Sequence, residues 1–534
     1  MEFSQRIAGG SARNLHDRRD RGARQRGAGG RLDRAAAGGG RGAGDRRGPG
    51  VGARALARSG LSNLAGAGFA GLAGLAVTWL VARSLGPAAA GGFFAATAAF
   101  VLVTAVARLG TPTGLVYWVA NARAQGQPEV AACYARIGIG PVAVAATGLG
   151  TGMWLVGAAT GNGALQTLAP FLPAAAVTDA LLATTRGYRL MRPTVAVDKL
   201  LRPALQLLGV AVLALAALWM VVPGSAWPLV WALPYLPALL LAGYALHTVQ
   251  RRQPVRRRRT SRALRSAFWR FTGPRAVASV LQLALQRLDI LLVAALAGPV
   301  PAAVYTVAGR FVVVGQLVNQ AIGHPLQPRL AERLSAGDLA GAGALYRTVT
   351  GWLVLTTWPL YLLVIGHAPL YLGLFGGAYR TGATAVVVLA AAMLLATGCG
   401  PVDLLLAMAG RTSWNLLNVG LALAMMVGLD ALLIPRLGAL GAAIGLAAAV
   451  ATNNLLPLAQ IWYALRLHPF GAGTLAAAGL AAGCFGALPL AIRALAGTGL
   501  VAVVGSLAAA VATYLAGARR LRHLFYPQGG PHAP

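Results

Sequence analysis

The stretch LQLALQRLDILLVAALAGPVPAAVYTVAGRF, residues 281–311, decides the fold of this chain. Two apolar runs flank a short turn at residues 298–301, and each run continues far enough to form a membrane-spanning helix. Three ionised residues, Arg287, Asp289 and Arg310, lie well inside these apolar runs. The stretch therefore predicts a helical hairpin that carries charges at membrane depth.

Asp289 and Arg310 lie at the same depth in the predicted hairpin. Each is about ten residues from the middle of the turn, so a rise of about 1.5 Å per residue places both roughly 15 Å from it. Because a charge near the middle of a bilayer costs at least ~2.5 to 3.5 kcal/mol, we expect the two residues to form an ion pair, to face a wet cavity, or both. Arg287 points about 200° away from Asp289 around the helix, so one carboxylate cannot easily serve both arginines. The extra cation indicates a functional role.

The composition indicates a polytopic membrane protein. Of 534 residues, 57% are hydrophobic and only 11% are charged, and the mean hydropathy is +0.64. The net charge of +33 does not indicate a nucleic-acid-binding protein, because the arginines are concentrated in the N-terminal tail and between apolar runs rather than on a folded basic face. Cys133, Cys399 and Cys484 lack metal-ligand spacing and are interpreted as small apolar helix residues. We expect no metal and no cofactor.

Fourteen apolar segments are each long enough to cross a hydrocarbon core of about 30 Å. The predicted fold class is therefore an all-α polytopic membrane protein with about fourteen transmembrane helices. The segments are 60–82, 88–109, 131–157, 165–188, 194–222, 227–249, 272–297, 302–324, 347–373, 380–408, 412–434, 438–464, 472–493 and 498–518.

The connections between these segments alternate in charge, which predicts the topology. An arginine-rich set includes the long run that begins at Arg251, whereas residues 158–164, 223–226 and 298–301 are nearly uncharged. By the positive-inside rule, the basic connections and both termini are cytoplasmic, and an even number of spans agrees with this. The expected location is the cytoplasmic (inner) membrane. Residues 326–345 are interpreted as an amphipathic segment at the membrane surface.

The charge and hydropathy patterns also predict the domain organisation. The predicted parts are a disordered Arg/Gly-rich tail at 1–55, a six-helix lobe at 56–250, a basic cytoplasmic linker at 251–271, a second six-helix lobe at 272–466, two extra transmembrane helices at 467–520 and a cytoplasmic tail at 521–534. Two interpretations of the N-terminal tail stay open. It is either a basic arm that contacts anionic lipid, or an over-extended start with translation beginning near Val51.

The first lobe contains a second set of charges inside predicted spans. Asp179 and Arg202 lie about eleven residues on either side of the turn near residues 187–193, so they too are expected at one depth. Asp198, Arg202 and Gln206 share one helix face at i, i+4 and i+8 spacing. The seventh span carries a comparable stripe of Arg275, Gln282, Gln286 and Asp289.

Two such polar faces across a cleft would form a cationic central cavity. Because arginine binds phosphate oxygens well, this cavity suits a phosphorylated or pyrophosphate-linked substrate. Arg202, Arg287 and Arg310 are the candidate substrate-binding cations. The supporting or ion-coupling acids are Asp179, Asp198 and Asp289. The alternative is that each acid only neutralises its arginine and locks two helices together.

Several stretches resemble the polysaccharide-transporter branch, or lipid-linked oligosaccharide flippases, of the multidrug/oligosaccharidyl-lipid/polysaccharide (MATE-like) exporter superfamily. The resemblance covers roughly residues 60–520 and depends on the order and spacing of its motifs rather than on one sharp motif. The matching stretches are LVARSLGPAAAGGFFAATAAF at 80–100, RLGTPTGLVYWVA at 108–120, RGYRLMRPTVAV at 186–197, QRLDILLVAALAGPVPAAVYTVAGRF at 286–311, LFGGAYRTGA at 374–383, LLLAMAGRTSWNLLN at 404–418 and LIPRLGALGAAIG at 433–445. Within the fourth, Arg287-x-Asp289 and Tyr305-x-x-Ala-x-Arg310 match the family pattern.

The resemblance implies two six-helix lobes related by pseudo-twofold symmetry and alternating access of a central cleft. It implies a flippase that moves a polyprenyl-pyrophosphate-linked oligosaccharide, or a related cell-envelope precursor such as an O-antigen unit, across the membrane. The implied partners are the lipid-linked saccharide, membrane lipids and a polysaccharide polymerase or glycosyltransferase, with no nucleic acid. The long Arg-rich tail departs from the family pattern. The chain lacks a phosphate-binding Gly-Lys-Ser/Thr loop, so direct use of ATP is not expected.

Three other functions are alternatives to this one. The main alternative is a cation-coupled drug or metabolite antiporter of the same fold, which should favour an acidic cavity over an arginine-rich one. A membrane glycosyltransferase or ligase would need catalytic groups on a sizeable outer loop, and the predicted outer loops are short. A scaffold would recruit synthesis enzymes through the basic tail. We therefore expect a transporter and not an enzyme.

Overall fold

The computed structural model describes residues 49–251, 260–489, 491–492 and 500–521. Within this part, helix is the only regular secondary structure. The described residues from Leu56 onwards group into one compact unit. Most of the predicted N-terminal tail, residues 252–259 of the predicted linker and nearly all of the predicted C-terminal tail lie outside the described residues.

The α-helices are numbered in chain order. They are α1 Pro49–Ala107, α2 Thr111–Ala124, α3 Pro128–Ala159, α4 Gly163–Leu168, α5 Leu172–Gly187, α6 Arg202–Ala216, α7 Ala226–Ala232, α8 Tyr235–Arg251, α9 Arg262–Leu296, α10 Pro299–Ala308, α11 Val312–Ser335, α12 Leu339–Gly366, α13 Ala368–Gly373, α14 Ala383–Cys399, α15 Val402–Met408, α16 Thr412–Leu437, α17 Ala439–Leu465, α18 Ala472–Ala481 and α19 Leu500–Arg520. Short 3-10 turns at Ala169–Phe171 and Gly377–Gly382, and π-helical segments at Thr194–Leu201 and Ala482–Ala487, extend neighbouring helices.

Ten helical runs in the described residues are long and apolar enough to cross a membrane, or eleven if a pair bent by 41° counts as one span. The first run, Ser62–Ala124, has 63 residues. A straight helix of that length would measure about 95 Å, so the run is long enough for two crossings. The described parts of all fourteen predicted segments are largely helical. The predicted all-α polytopic membrane fold is confirmed.

Glycine followed by proline separates successive spans at two predicted places. Gly86 breaks α1 with φ 71° and ψ 171°, and Gly298 precedes α10 with φ 93° and ψ 179°. Residues other than glycine rarely adopt these positive φ values. The proline that follows has its φ already set for the first turn of the next helix. The predicted turn between the two arms of the hairpin therefore forms at Gly298.

A close approach fixes this hairpin turn against α1. A Cβ atom added to Gly91 would lie only 1.8 Å from the carbonyl oxygen of Pro299. The largest buried apolar cluster continues this contact. It combines Phe93 and Phe94 of α1 with residues of the hairpin such as Tyr305. The hairpin is thus held against a helix from the first half of the chain.

Two local predictions differ from the structure. Helix α9 begins at Arg262, ten residues before the predicted start of the seventh span. Residues 326–345 do not form a separate amphipathic segment, because they contain the end of α11, a turn and the start of α12. Asp338 causes the break: its carboxylate accepts hydrogen bonds from Gly341 N at 2.8 Å, which caps α12, and from Arg333 at 2.9 Å.

Candidate functional site

Two cavities adjoin the hairpin. The larger has a volume of about 560 Å³ and is lined by α9 to α12, α14, α15 and α17. The smaller has a volume of about 200 Å³ and is lined by α1, α6, α7, α9 and the hairpin arm that ends at Arg310. The smaller cavity therefore lies between helices from the two halves of the chain.

All three predicted cations line the smaller cavity. Arg202 comes from the first half of the chain, and Arg287 and Arg310 come from the two arms of the hairpin. Arg287 and Arg310 also line the larger cavity, so they stand where the two cavities adjoin. The structure thus places an arginine from the first half of the chain on the same cavity as two arginines of the hairpin.

Asp179 and Arg202, which are expected at one depth, do not form an ion pair with each other. Arg202 instead donates a hydrogen bond of 2.7 Å to Asp198, one turn earlier, and one of 3.2 Å to the hydroxyl of Tyr235. Asp179 accepts a hydrogen bond of 2.8 Å from Arg108. The physical reason is proximity: Asp198 is on the same helix face as Arg202, and the break after α1 brings Arg108 within reach of Asp179.

Of the two arrangements expected for Asp289 and Arg310, the ion pair does not form, and both residues line the larger cavity. Asp289 is buried and accepts hydrogen bonds from the hydroxyl of Tyr305 and from Ile290 N, the latter at 2.7 Å. Arg310 donates through Nε to the carbonyl oxygen of Thr306 at 3.0 Å. Equal distance from the turn sets the depth of two side chains but not their direction around the helix axis. The phenol of Tyr305 therefore takes the position that depth alone assigned to Arg310.

Two cations are left without a carboxylate. Within the described residues, neither Arg287 nor Arg310 forms an ion pair, and the Nε atom of Arg287 is buried without a hydrogen-bond partner. A buried N–H donor of a charged group that has no hydrogen-bond partner destabilises the protein by on the order of 1–3 kcal/mol or more. The planar guanidinium fork matches phosphate and carboxylate oxygens. The arrangement is chemically suited to hold an anion.

One buried acid was missed by the sequence analysis. Asp430 on α16 is fully buried, and neither carboxylate oxygen has a hydrogen-bond partner in the described part of the chain. Its charge interacts with that of Asp289. Gly445 on α17 leaves room for it, because a Cβ there would lie 2.0 Å from Oδ1. The signal was available: Asp430 is an ionisable residue inside the predicted span 412–434.

The larger cavity has a lining rich in carboxamide side chains. They are Gln282, Gln286, Gln316, Asn319, Gln320, Gln327, Asn453 and Asn454. Only the first two belong to the polar stripe that the sequence analysis identified. Gln316, Gln320 and Gln327 recur along α11 at helical spacing, which is the pattern that would have revealed the rest.

No protein-family model and no curated protein sequence matches the chain. Solved structures do match. Lipid II flippase MurJ in an inward closed conformation aligns with a TM-score of 0.67 at 10% identity, over 86% of this chain and 99% of that one. An inward-facing multidrug resistance MATE family transporter of the MOP superfamily aligns with a TM-score of 0.62 at 14% identity, over 76% and 98%. A mutant of the Vibrio cholerae MATE transporter VcmN aligns with a TM-score of 0.52 at 14% identity, over 78% and 98%.

These neighbours are transporters and a flippase rather than enzymes. At such low identities the property that they share with this chain is the fold. The chain is a multi-pass membrane protein, and its fold is the one seen in MATE transporters and in the lipid II flippase MurJ, as its sequence resemblance predicted.

Proposed function

We propose that the chain is a flippase that moves a polyprenyl-pyrophosphate-linked oligosaccharide, or a related envelope precursor, across the cytoplasmic membrane by alternating access. The observation that carries the proposal is the meeting of Arg202, Arg287 and Arg310 at one cavity between the two halves of the chain. A pyrophosphate offers the anionic oxygens that such guanidinium groups bind. Movement of the two halves would open this site to each side of the membrane in turn.

The three arginines have different roles in this proposal. Arg287 and Arg310 have no carboxylate partner among the described residues and are the primary pyrophosphate-binding cations. Arg202 is oriented by Asp198 and Tyr235, so it approaches the substrate from a fixed direction. Asp179 supports this region by holding Arg108. Asp289 is the candidate ion-coupling acid, together with the neighbouring Asp430.

The direction of transport would come from an ion gradient, the membrane potential or consumption of the substrate on the far side. The topology proposed with this function has both termini and the basic linker in the cytoplasm. The proposed parts are two six-helix lobes at 56–250 and 272–466 and two additional helices at 467–520. A polymerase or glycosyltransferase that makes or uses the lipid-linked saccharide would act before or after this step.

A cation-coupled antiporter for drugs or metabolites is the second candidate. The specific observation in its favour is Asp430, a buried carboxylate without a hydrogen-bond partner in the described residues, beside Asp289. Two acids in a low-dielectric site would bind a cation or a proton. The arginine-lined cavity favours the flippase, because a cationic drug would be repelled by three guanidinium groups.

A lipid-accessibility assay tests the proposal. The protein is reconstituted in liposomes with a fluorescent undecaprenyl-pyrophosphate-linked saccharide, and an external quencher reports translocation. Wild type should move the lipid, whereas Arg287→Ala and Arg310→Ala should lose most of this activity. Arg436→Ala is the matched control, because this exposed arginine lines neither cavity. Exchange of a cationic drug for protons or sodium, with no lipid movement, would establish the antiporter instead.

A further inference from the structure

The larger cavity contains polar groups that the arginine site does not use. Six carboxamide side chains line it from two helices, α9 and α11. They are Gln282, Gln286, Gln316, Asn319, Gln320 and Gln327. A polar side chain on a membrane-spanning helix costs free energy when it faces lipid. The position of these six amides at a cavity therefore indicates that the cavity is filled by water or by a ligand.

These six amides are open to a ligand. All six are exposed, and none makes a side-chain hydrogen bond to another described residue. Each carboxamide presents one acceptor oxygen and two N–H donors. Gln282 and Gln286 are one turn apart on α9, and Gln316 and Gln320 are one turn apart on α11, so each helix repeats its hydrogen-bonding groups at intervals of about 6 Å.

The cavity lining contains few charged groups. Asp289 accepts hydrogen bonds from Tyr305 and Ile290, and Asp403 lies on α15, outside the two helices that carry the six amides. Arg287 and Arg310 mark the end that adjoins the smaller cavity. A ligand that extends from these arginines into the larger cavity would therefore meet neutral donors and acceptors.

We propose that the larger cavity holds the uncharged, hydroxyl-rich sugar part of the substrate, with the six amides as its hydrogen-bonding partners. This inference rests on the proposed function and assigns the pyrophosphate to Arg287 and Arg310. A sugar hydroxyl donates and accepts hydrogen bonds at the same oxygen, and a carboxamide supplies both partners. A headgroup with a charged peptide or carboxylates would need charged partners along the same wall. The cavity volume of about 560 Å³ is within the common range for ligand sites, roughly 300–1,000 Å³.

The experiment compares two lipids in the liposome assay. One is undecaprenyl pyrophosphate carrying a neutral oligosaccharide, and the other is undecaprenyl pyrophosphate with a small fluorophore and no sugar. The double variant Gln316→Leu/Gln320→Leu should slow the saccharide lipid about tenfold or more, as expected for two lost hydrogen bonds, and leave the sugar-free lipid within about twofold. Gln127→Leu is the control, because Gln127 is exposed and lines neither cavity.

Melting temperatures establish whether each variant is folded. If Gln316→Leu/Gln320→Leu does not fold, Gln282→Leu/Gln286→Leu on α9 takes its place. Equal rates for the variants and wild type with both lipids, or equal losses with both, would overturn the sugar site and leave the flippase intact. Wild type is also assayed with a third lipid that carries a peptide-bearing headgroup, and a preference for this lipid over the neutral saccharide would overturn the sugar site as well. Wild type that moves neither lipid would overturn the flippase, and the sugar site with it.

Discussion

The hydroxyl of Tyr305 donates a hydrogen bond to the carboxylate of Asp289, sixteen residues earlier on the opposite arm of the hairpin. This contact joins the two arms below the Gly298 turn. It also satisfies a buried acid without an arginine, so that Arg287 and Arg310 stay available at the cavities. The pair therefore separates the hydrogen bonding of Asp289 from the two arginines that the proposed function assigns to the pyrophosphate.

Replacement of Tyr305 should test this separation. Tyr305→Phe leaves the buried carboxylate of Asp289 with one partner fewer, and we expect a loss of about 1–3 kcal/mol in the free energy of unfolding. The melting temperature in detergent is the measurement. Tyr361→Phe is the matched control, because Tyr361 is equally buried and its hydroxyl makes no hydrogen bond within the described residues. Equal effects of the two substitutions would show that the contact with Asp289 has no special role.

The close approach of α1 to the hairpin predicts that alanine substitutions at two adjacent glycines have different effects on stability. Gly91→Ala places a methyl group 1.8 Å from the carbonyl oxygen of Pro299, so the helices must separate, at a cost of about 1–3 kcal/mol. Gly92→Ala meets nothing within 4 Å and should be neutral or slightly stabilising. Melting temperatures of the two variants check this. A neutral effect of Gly91→Ala would mean that the helices do not approach this closely.

The pair of Asp198 and Arg202 should be coupled more strongly than an exposed pair of similar length. The donor–acceptor distances are 2.7 Å for this pair and 2.9 Å for Arg333 with Asp338, but the arginine side chains are 22% and 48% exposed. A double-mutant cycle on stability should give about 0.5–3 kcal/mol for the first pair and about 0–1 kcal/mol for the second. Similar coupling energies in the two cycles would contradict the importance of burial.

Asp430 should respond to cations if it couples transport to an ion gradient. Because its carboxylate is buried without a hydrogen-bond partner in the described part of the chain, a bound cation would stabilise the folded protein. We expect the melting temperature of wild type to rise with sodium concentration or to change with pH, and Asp430→Asn to abolish this response. Asp338→Asn, an exposed acid at a helix start, should leave the response unchanged. A response that persists in Asp430→Asn would place ion binding elsewhere.

The sequence predicted the fold correctly because the features that indicate the fold are local in the chain. Apolar runs of membrane-spanning length are properties of contiguous segments, and so is the Gly298–Pro299 turn between two of them. The same reasoning identified Arg202, Arg287 and Arg310 as expensive charges inside spans. Asp430 could have been found by that rule, and the amides of α11 by their helical spacing.

The amino-acid sequence by itself determined which segments are apolar helices, where glycine separates them and which charges lie inside them. Only the tertiary structure decided the partners of those charges: Tyr305 for Asp289, Asp198 for Arg202 and Arg108 for Asp179. Distance from a turn specifies the depth of a residue, but the direction of its side chain depends on how each helix is rotated against its neighbours. That rotation is set by packing between segments far apart in sequence, and it brings the three arginines to one cavity.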